Sequence, residues 1–172
     1  IEVAGIGPGP FCVMMLADMG AEIIRVDRAS NVRPGSERRT DILGRSRRSI
    51  AIDLTKPEGV ETLLRLAETA DGLTEGFRPG VMERLGLDYA ALKRVKNDII
   101  YCAISGFGQD GPLKFNPAYD QIIQGLSGVM SITGDKQSAP LRVGYPAADT
   151  MGGITAAFAI PSAPPISSAN TE

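Results

Sequence analysis

The sequence predicts an α/β fold, a doubly wound and mostly parallel sheet with helices on both faces. Three observations predict it. Residues 1–28 read strand, Gly/Pro turn, helix, strand, the order of a βαβ unit whose crossover implies parallel strands. The alternation of short apolar runs with helical segments then continues to residue 160. Glycine-rich turns follow several of the apolar runs, where open α/β sheets bind ligands.

Taken in order, IEVA (1–4) is a short apolar strand. GIGPGP (5–10) is a turn, because its glycines and prolines exclude it from a helix interior. FCVMMLADMG (11–20) is a buried helix closed by a glycine, and AEIIRVDR (21–28) is the second strand. Residues 29–48 form a long polar loop with Arg33, Arg38, Arg39, Arg45, Arg47 and Arg48. Long loops in compact domains are often functional. SIAIDL (49–54) is a strand, and Pro57 opens a helix to Ala70 with Glu58 and Glu61 near its start, as the macrodipole favours. GLTEGF (72–77) is a strand and turn. RPGVMERLGLD carries a short helix, and residues 89–95 give another. DIIYCAISGFG (98–108) is an apolar strand entering a Gly-rich turn, and residues 118–129 and 149–160 are the last helices. No internal repeat is visible. Residues 1–160 read as one incomplete domain. PSAPPISSANTE (161–172) reads as a disordered or non-native tail, since it is Pro/Ser-rich without periodicity. With Ile1 opening in mid-strand, the chain reads as a fragment.

Composition narrows the function classes. The 172 residues are 43% apolar and 22% charged, enough for an ordinary core. A net charge of −2 argues against a general nucleic-acid binder. No apolar run suffices to span a bilayer, so no membrane partner is expected. Cys12 and Cys102 lie in apolar segments and read as buried thiols of a reducing compartment, the cytoplasm; a disulfide between them is the alternative. Histidine is absent. Ser–His and Cys–His catalysis and histidine metal sites are thereby excluded. Nucleophilic or acid–base work falls to Asp, Glu, Tyr, Lys or Cys.

The stretch RVGYPAADTMGG (142–153) sets one carboxylate, Asp149, among small and apolar neighbours. Burying it is costly unless something satisfies it. Asp149 reads as a residue at or just before a helix N-terminus, and two roles stay open there. It is an N-cap, or it is a nucleophile whose small neighbours admit a thioester. The two are compatible, because a helix N-terminus also favours negative charge. Glycine N–H groups near Gly152 or Gly106 are candidate oxyanion donors. Arg28 ends one strand, Arg78 follows another, and Arg84 lies in the short helix. Guanidinium forks suit phosphates, so these arginines either share a ligand or are solvated surface. GIGPGP lacks the dinucleotide-loop spacing, and no GxxxxGK[ST] is present. Asp120 reads as a cap or part of a polar network, with Tyr119 on the same edge.

Six segments in order then resemble the class III CoA-transferase family: AGIGPGPFCVMMLADMGAEIIRVDR, RRSIAIDL, EGFRPGVMERLGL, YCAISGFGQDGP, AYDQIIQGLSGVMSITG and PAADTMGG. The family includes formyl-CoA transferase, carnitine CoA-transferase and α-methylacyl-CoA racemase. The resemblance covers residues 1–160, leaves out the tail, and lacks the family's second half. It implies a Rossmann-like CoA-binding large domain in an interlocked homodimer. Coenzyme A and acyl-CoA enter as substrates, a carboxylic acid is the acceptor, and no tightly bound cofactor is implied. The family's nucleophilic aspartate falls on Asp149, which passes through a mixed anhydride and an aspartyl-CoA thioester. CoA-binding positions fall on Ile6, Arg28, Ile52, Asp53, Leu54, Gly76, Phe77, Arg78, Arg84, Ala118, Tyr119 and Ile123. In the racemases a histidine–aspartate pair moves a proton, and that histidine falls on Tyr119; a phenol is a poor base near neutral pH. Residues 4–87, from AGIGPGPFC to FRPGVMERLGL, look more racemase-like, whereas AYDQIIQGLSGVMSITG, where the chemistry resides, looks transferase-like. The expected activity is CoA transfer, with racemisation, or CoA binding by an inactive fragment, as alternatives.

Overall fold

The computed structural model describes residues 1–32, 41–138 and 140–163. Five strands, β1 (Glu2–Val3), β2 (Ile24–Arg28), β3 (Arg48–Ile52), β4 (Gly72–Glu75) and β5 (Ile100–Ala103), form one sheet in the order β3-β2-β1-β4-β5. Every pair is parallel. The helices are α1 (Pro8–Asp18), α2 (Pro57–Ala67), α3 (Val81–Arg84), α4 (Tyr89–Val95), α5 (Asp120–Leu126) and α6 (Ala147–Ser162).

Two apolar layers sandwich the sheet. On one face Val3, Val26, Ile52 and Leu73 pack against Leu63 and Ala67 of α2 and Leu92 of α4. Helix α2 can do this because Val60, Leu63, Leu64 and Ala67 recur at helical spacing. On the other face Cys12, Val13 and Ala17 of α1 meet Ala156 and Ala157 of α6, over Cys102. The fold is therefore the expected doubly wound α/β sheet.

Element boundaries differ from expectation where local chemistry outweighs composition. Helix α1 begins at Pro8, so Pro8 and Pro10 belong to its first turn, not to a preceding loop. The leading N–H groups of a helix lack intrahelical acceptors, so proline loses nothing there. Helix α5 ends at Leu126; Gly128 (φ 81°) breaks the path before a 3-10 turn at Val129–Ile132. Helix α2 stops at Ala67, three residues before Ala70, and Arg48–Ile52 is shorter than expected at its C-terminal end. Helix α6 begins two residues before Asp149 and runs through Pro161 to Ser162. Pro161 lies within the last turn and removes one backbone donor, while the Ser162 hydroxyl bonds the Phe158 carbonyl at 2.8 Å. The tail expected from residue 161 thus starts as helix, and residues 164–172 lie outside the described residues.

The three described loop arginines have structural partners. Arg45 reaches Asp18 at the end of α1 (Nε–Oδ1 3.0 Å), and Arg48 pairs with Glu22. Arg47 pairs with Glu2 inside the protein, each side chain 1% exposed. Arg33, Arg38 and Arg39 lie outside the described residues. Cys12 and Cys102 are free thiols, Cys12 buried and Cys102 half-buried.

Helix α6 is apolar on every side. Gly153, Ala156 and Ala157 are buried, while Met151, Ile154 and Phe158 are exposed at helical spacing. A helix of that kind normally lies inside a larger apolar assembly.

Candidate functional site

Parallel strands end on a common edge, so the loops after β1, β2, β3, β4 and β5 lie together. From β1 the chain winds outward to β2 and β3, then crosses back to β4 and β5 on the other side. The reversal opens a crevice at the C-terminal end of β1, where this class of sheet takes ligands. Gly7 caps α1 there with φ 74° and ψ −128°, a conformation open to glycine.

Asp149 comes to the same point from the far end of the chain. A Cβ built on Gly7 would lie 2.9 Å from Asp149 Oδ2. The approach of α6 to α1 is set by small residues. A Cβ on Gly153 would lie 2.8 Å from Phe11 Cδ1 and 2.9 Å from the Pro8 carbonyl oxygen. The glycines of DTMGG therefore serve helix packing. Gly152 is the sixth residue of α6, past the leading free N–H groups, so it is not an oxyanion donor.

Asp149 is the third residue of α6 and not its cap. Capping comes from Asp120, the first residue of α5. Its Oδ1 accepts from the Ala148 N–H (2.8 Å) and the Asp149 N–H (3.2 Å). Its Oδ2 accepts from Gln124 Nε2 at 2.6 Å. Gln124, 1% exposed, also accepts from the Val143 N–H (2.8 Å) and donates to the Tyr145 carbonyl (3.3 Å). This buried amide ties the segment leading into α6 onto α5. Asp120 thus both caps and joins a network, the two alternatives its position left open.

The Asp149 carboxylate is half-buried, and no described residue donates a hydrogen bond to it. Burial first, and the Asp120 carboxylate second, push its carboxyl above the ordinary value. Other nucleophiles are less available. Burial pushes the Cys12 thiol up to about 12 and raises Cys102 as well. Glu75 is buried at the end of β4, with its oxygens engaged by the Phe77 N–H (2.6 Å) and the Tyr101 hydroxyl (3.4 Å).

The other candidate residues fall into groups along the edge. Ile6, 82% exposed, precedes Gly7. Ala118 packs on Gly106, whose added Cβ would lie 1.9 Å from the Ala118 Cβ and 3.4 Å from Ile123 Cδ1. Tyr119 is exposed at the N-cap of α5. Arg28 pairs in register with Ile52, which brings it beside Asp53 and Leu54. Thr55 hydrogen bonds hold the Asp53 carboxyl below its ordinary range, with lesser help from Lys56 and Arg28. Leu54, Lys56 and Arg84 line a cleft of about 590 Å³. Gly76 and Phe77 follow β4, and Arg78 lines a separate cavity of about 810 Å³ with Glu75. Arg28 and Arg78 share the edge, but their strands are not adjacent, because β1 lies between them. Arg78 and Arg84 line different cavities.

Sequence reasoning missed four contributors: Gly7, Gln124, Pro146 and Lys56. Gln124 had a signal, its helical spacing from Asp120; the others gain their places only from folding.

A model of CoA-transferase family III matches residues 1–165, which includes the first residues of the segment expected to be foreign. The chain is 38% identical over 182 residues to a succinate–glutarate CoA-transferase of Agrobacterium fabrum, covering 95% of this chain and 45% of that one. It is 43% identical over 156 residues to the α-methylacyl-CoA racemase of Homo sapiens, covering 89% and 39%. A crystal structure of a CaiB/BaiF family protein from Brucella suis superposes with a TM-score of 0.83 at 34% identity, covering 94% of this chain and 46% of that one. The chain thus spans less than half the length of these relatives.

Proposed function

The chain belongs to CoA-transferase family III, and from that premise we propose that it is the CoA-binding portion of an enzyme that moves coenzyme A from an acyl-CoA to a carboxylic acid. One observation carries the reading: the carboxylate of Asp149 lies against Gly7 at the switch point, without hydrogen-bond donors among the described residues. Such a carboxylate is a competent nucleophile.

In this reading an Asp149 oxygen attacks the thioester carbon, the C–S bond breaks, and CoA leaves as thiolate. The thiolate attacks the aspartyl carbonyl of the resulting anhydride, releasing the first acid and leaving an aspartyl-CoA thioester. The acceptor carboxylate opens that thioester, and the released thiolate takes the acceptor's acyl group from the second anhydride, freeing Asp149. No proton is transferred at any step. The nucleotide end of CoA falls to Arg28 with Ile52, Asp53 and Leu54, to Gly76, Phe77 and Arg78, and to Arg84. Ile6, Ala118, Tyr119 and Ile123 flank the pantetheine arm. The exposed side of α6 is covered by the rest of the enzyme and by a second subunit.

The test is to incubate the full-length protein with acyl-CoA, trap with hydroxylamine or borohydride, and map the adduct. It is expected at Asp149, with Asp149→Asn losing both adduct and turnover. CoA transfer by Asp149→Asn at the parent rate would end the proposal. Kinship to a racemase supplies a second reading. It requires exchange of the α-hydrogen with deuterated solvent in the absence of an acceptor acid, whereas the transferase reading requires turnover that depends on the acceptor.

A further inference from the structure

The start of α6 is built unusually. A helix whose third residue is acidic can draw that side chain back onto the cap residue's N–H, and its cap side chain ordinarily takes the N–H groups of the second and third residues. Here neither arrangement is available. The cap residue is Pro146, which has neither an N–H nor a side-chain acceptor. The Ala148 and Asp149 N–H groups are instead taken by Asp120, across a gap of 28 and 29 residues.

We propose that Asp120 and Pro146 are positioning residues that deny Asp149 the backbone hydrogen bonds of its own helix, leaving both carboxylate oxygens free to attack. Asp120 consumes the donors, and Pro146 removes the one donor that a folded-back Asp149 side chain would reach. Gln124 holds Asp120 in place through Oδ2 and anchors Tyr145 beside the proline. The first turn of α6 is thereby fixed while its acid points at Gly7.

The charges around Asp149 fit this arrangement. Helix α5 contributes Asp120, whose carboxylate raises the Asp149 pKa together with burial. Helix α1 contributes Gly7, Pro8 and Phe11 at this end, and its own acid, Asp18, sits at the opposite end paired with Arg45. Helix α6 carries no other ionisable residue. An unbonded carboxylate beside a second one is more basic, and so more nucleophilic, than one held by amide donors.

The inference rests on the nucleophile reading above, and the test separates the two. In the full-length enzyme, single-turnover formation of the Asp149 adduct from acyl-CoA is followed across pH for the parent, Asp120→Asn, Asp120→Ala and Pro146→Ala. Asparagine keeps the oxygen that caps α6 but loses the charge. Its Nδ2 then faces the Gln124 Nε2 donor, so Asp120→Asn should melt slightly below the parent, while the acid limb of its profile moves to lower pH and its plateau falls about tenfold. Pro146→Ala restores an N–H and should lower the plateau several-fold with an unchanged KM for acyl-CoA. Asp120→Ala should add a fall in melting temperature of about 2–4 °C from the lost cap. Parent plateaus and limbs in both Asp120→Asn and Pro146→Ala overturn the inference alone. A parent enzyme that forms no adduct at Asp149 overturns the nucleophile reading, and the inference with it.

Discussion

Gly7 and Asp149 touch where α1 begins and α6 begins: a Cβ on Gly7 would stand 2.9 Å from Oδ2 and 3.2 Å from Cγ of the acid. Gly7 also holds φ 74° and ψ −128°. Gly7→Ala therefore meets both a backbone conformation costly for an L side chain and a collision with the carboxylate. A loss of about 1–3 kcal/mol is expected from the backbone alone. Urea unfolding measures it, and adduct formation at Asp149 should fall more than stability does, because the acid itself is displaced.

The two glycines after Asp149 should behave oppositely. Alanine gains about 1 kcal/mol over glycine inside a helix. At Gly152 the new methyl would meet Pro8 Cβ at 3.4 Å, an ordinary contact, so Gly152→Ala should be neutral or stabilising. At Gly153 it would meet the Pro8 carbonyl oxygen at 2.9 Å and the Cys12 nitrogen at 3.2 Å, both backbone atoms that cannot swing away. Overpacking of about 1–3 kcal/mol then outweighs the propensity gain, and Gly153→Ala should lower the urea midpoint.

Asp149 should weaken the fold when ionised. Burial and Asp120 raise its pKa in the native state above the ordinary 3.8. A carboxyl raised on folding favours the native state most fully below its unfolded pKa, and that advantage is lost as pH rises through the folded value. Asp149→Asn should therefore melt higher than the parent near pH 7, with the difference shrinking toward pH 3. An inactive variant more stable than the parent is the pattern expected of a functional acid. Equal pH dependence of melting in the two proteins would contradict it.

Glu2 and Arg47 form a fully buried pair beneath α1. Removing one partner strands the other charge, so Glu2→Gln or Arg47→Met should each cost about 3–5 kcal/mol. Replacing both with apolar side chains should restore much of that loss. A double variant as unstable as the sum of the singles would show that the pair does not act as a unit.

Lys56 and Arg84 line one cleft beside Leu54. If the nucleotide phosphates of CoA are held there, Arg84→Ala and Lys56→Ala should each raise KM for acyl-CoA about 10- to 100-fold, the worth of a charge-assisted hydrogen bond. Values of kcat should stay near the parent's, since neither residue touches the reacting carbonyl. Unchanged KM in both variants would move the phosphates to Arg28 and Arg78.

Local pattern made most of the elements legible. The apolar runs around Val3, Val26, Leu73 and Tyr101 became the expected parallel strands, because strand and helix periods are written over a few residues. The misplaced boundaries have local causes. Composition marks GIGPGP as a turn, yet proline is excluded only where a backbone N–H is needed, and the first turn of α1 needs none. Pro161 instead sits in the last turn of α6 at the cost of one backbone donor. Asp149 was expected at or before the helix start because its neighbours are small, whereas the cap is Pro146.

Sequence alone determined the α/β class, the family resemblance and the lack of any imidazole, and it marked the acid at position 149 as the candidate nucleophile. The tertiary structure decided that this acid meets Gly7, that Asp120 takes the donors at the start of α6, and that Glu2 buries Arg47. Secondary structure follows from preferences within a few neighbouring residues. A contact between positions 28 or 142 residues apart follows only from how the layers stack on the sheet.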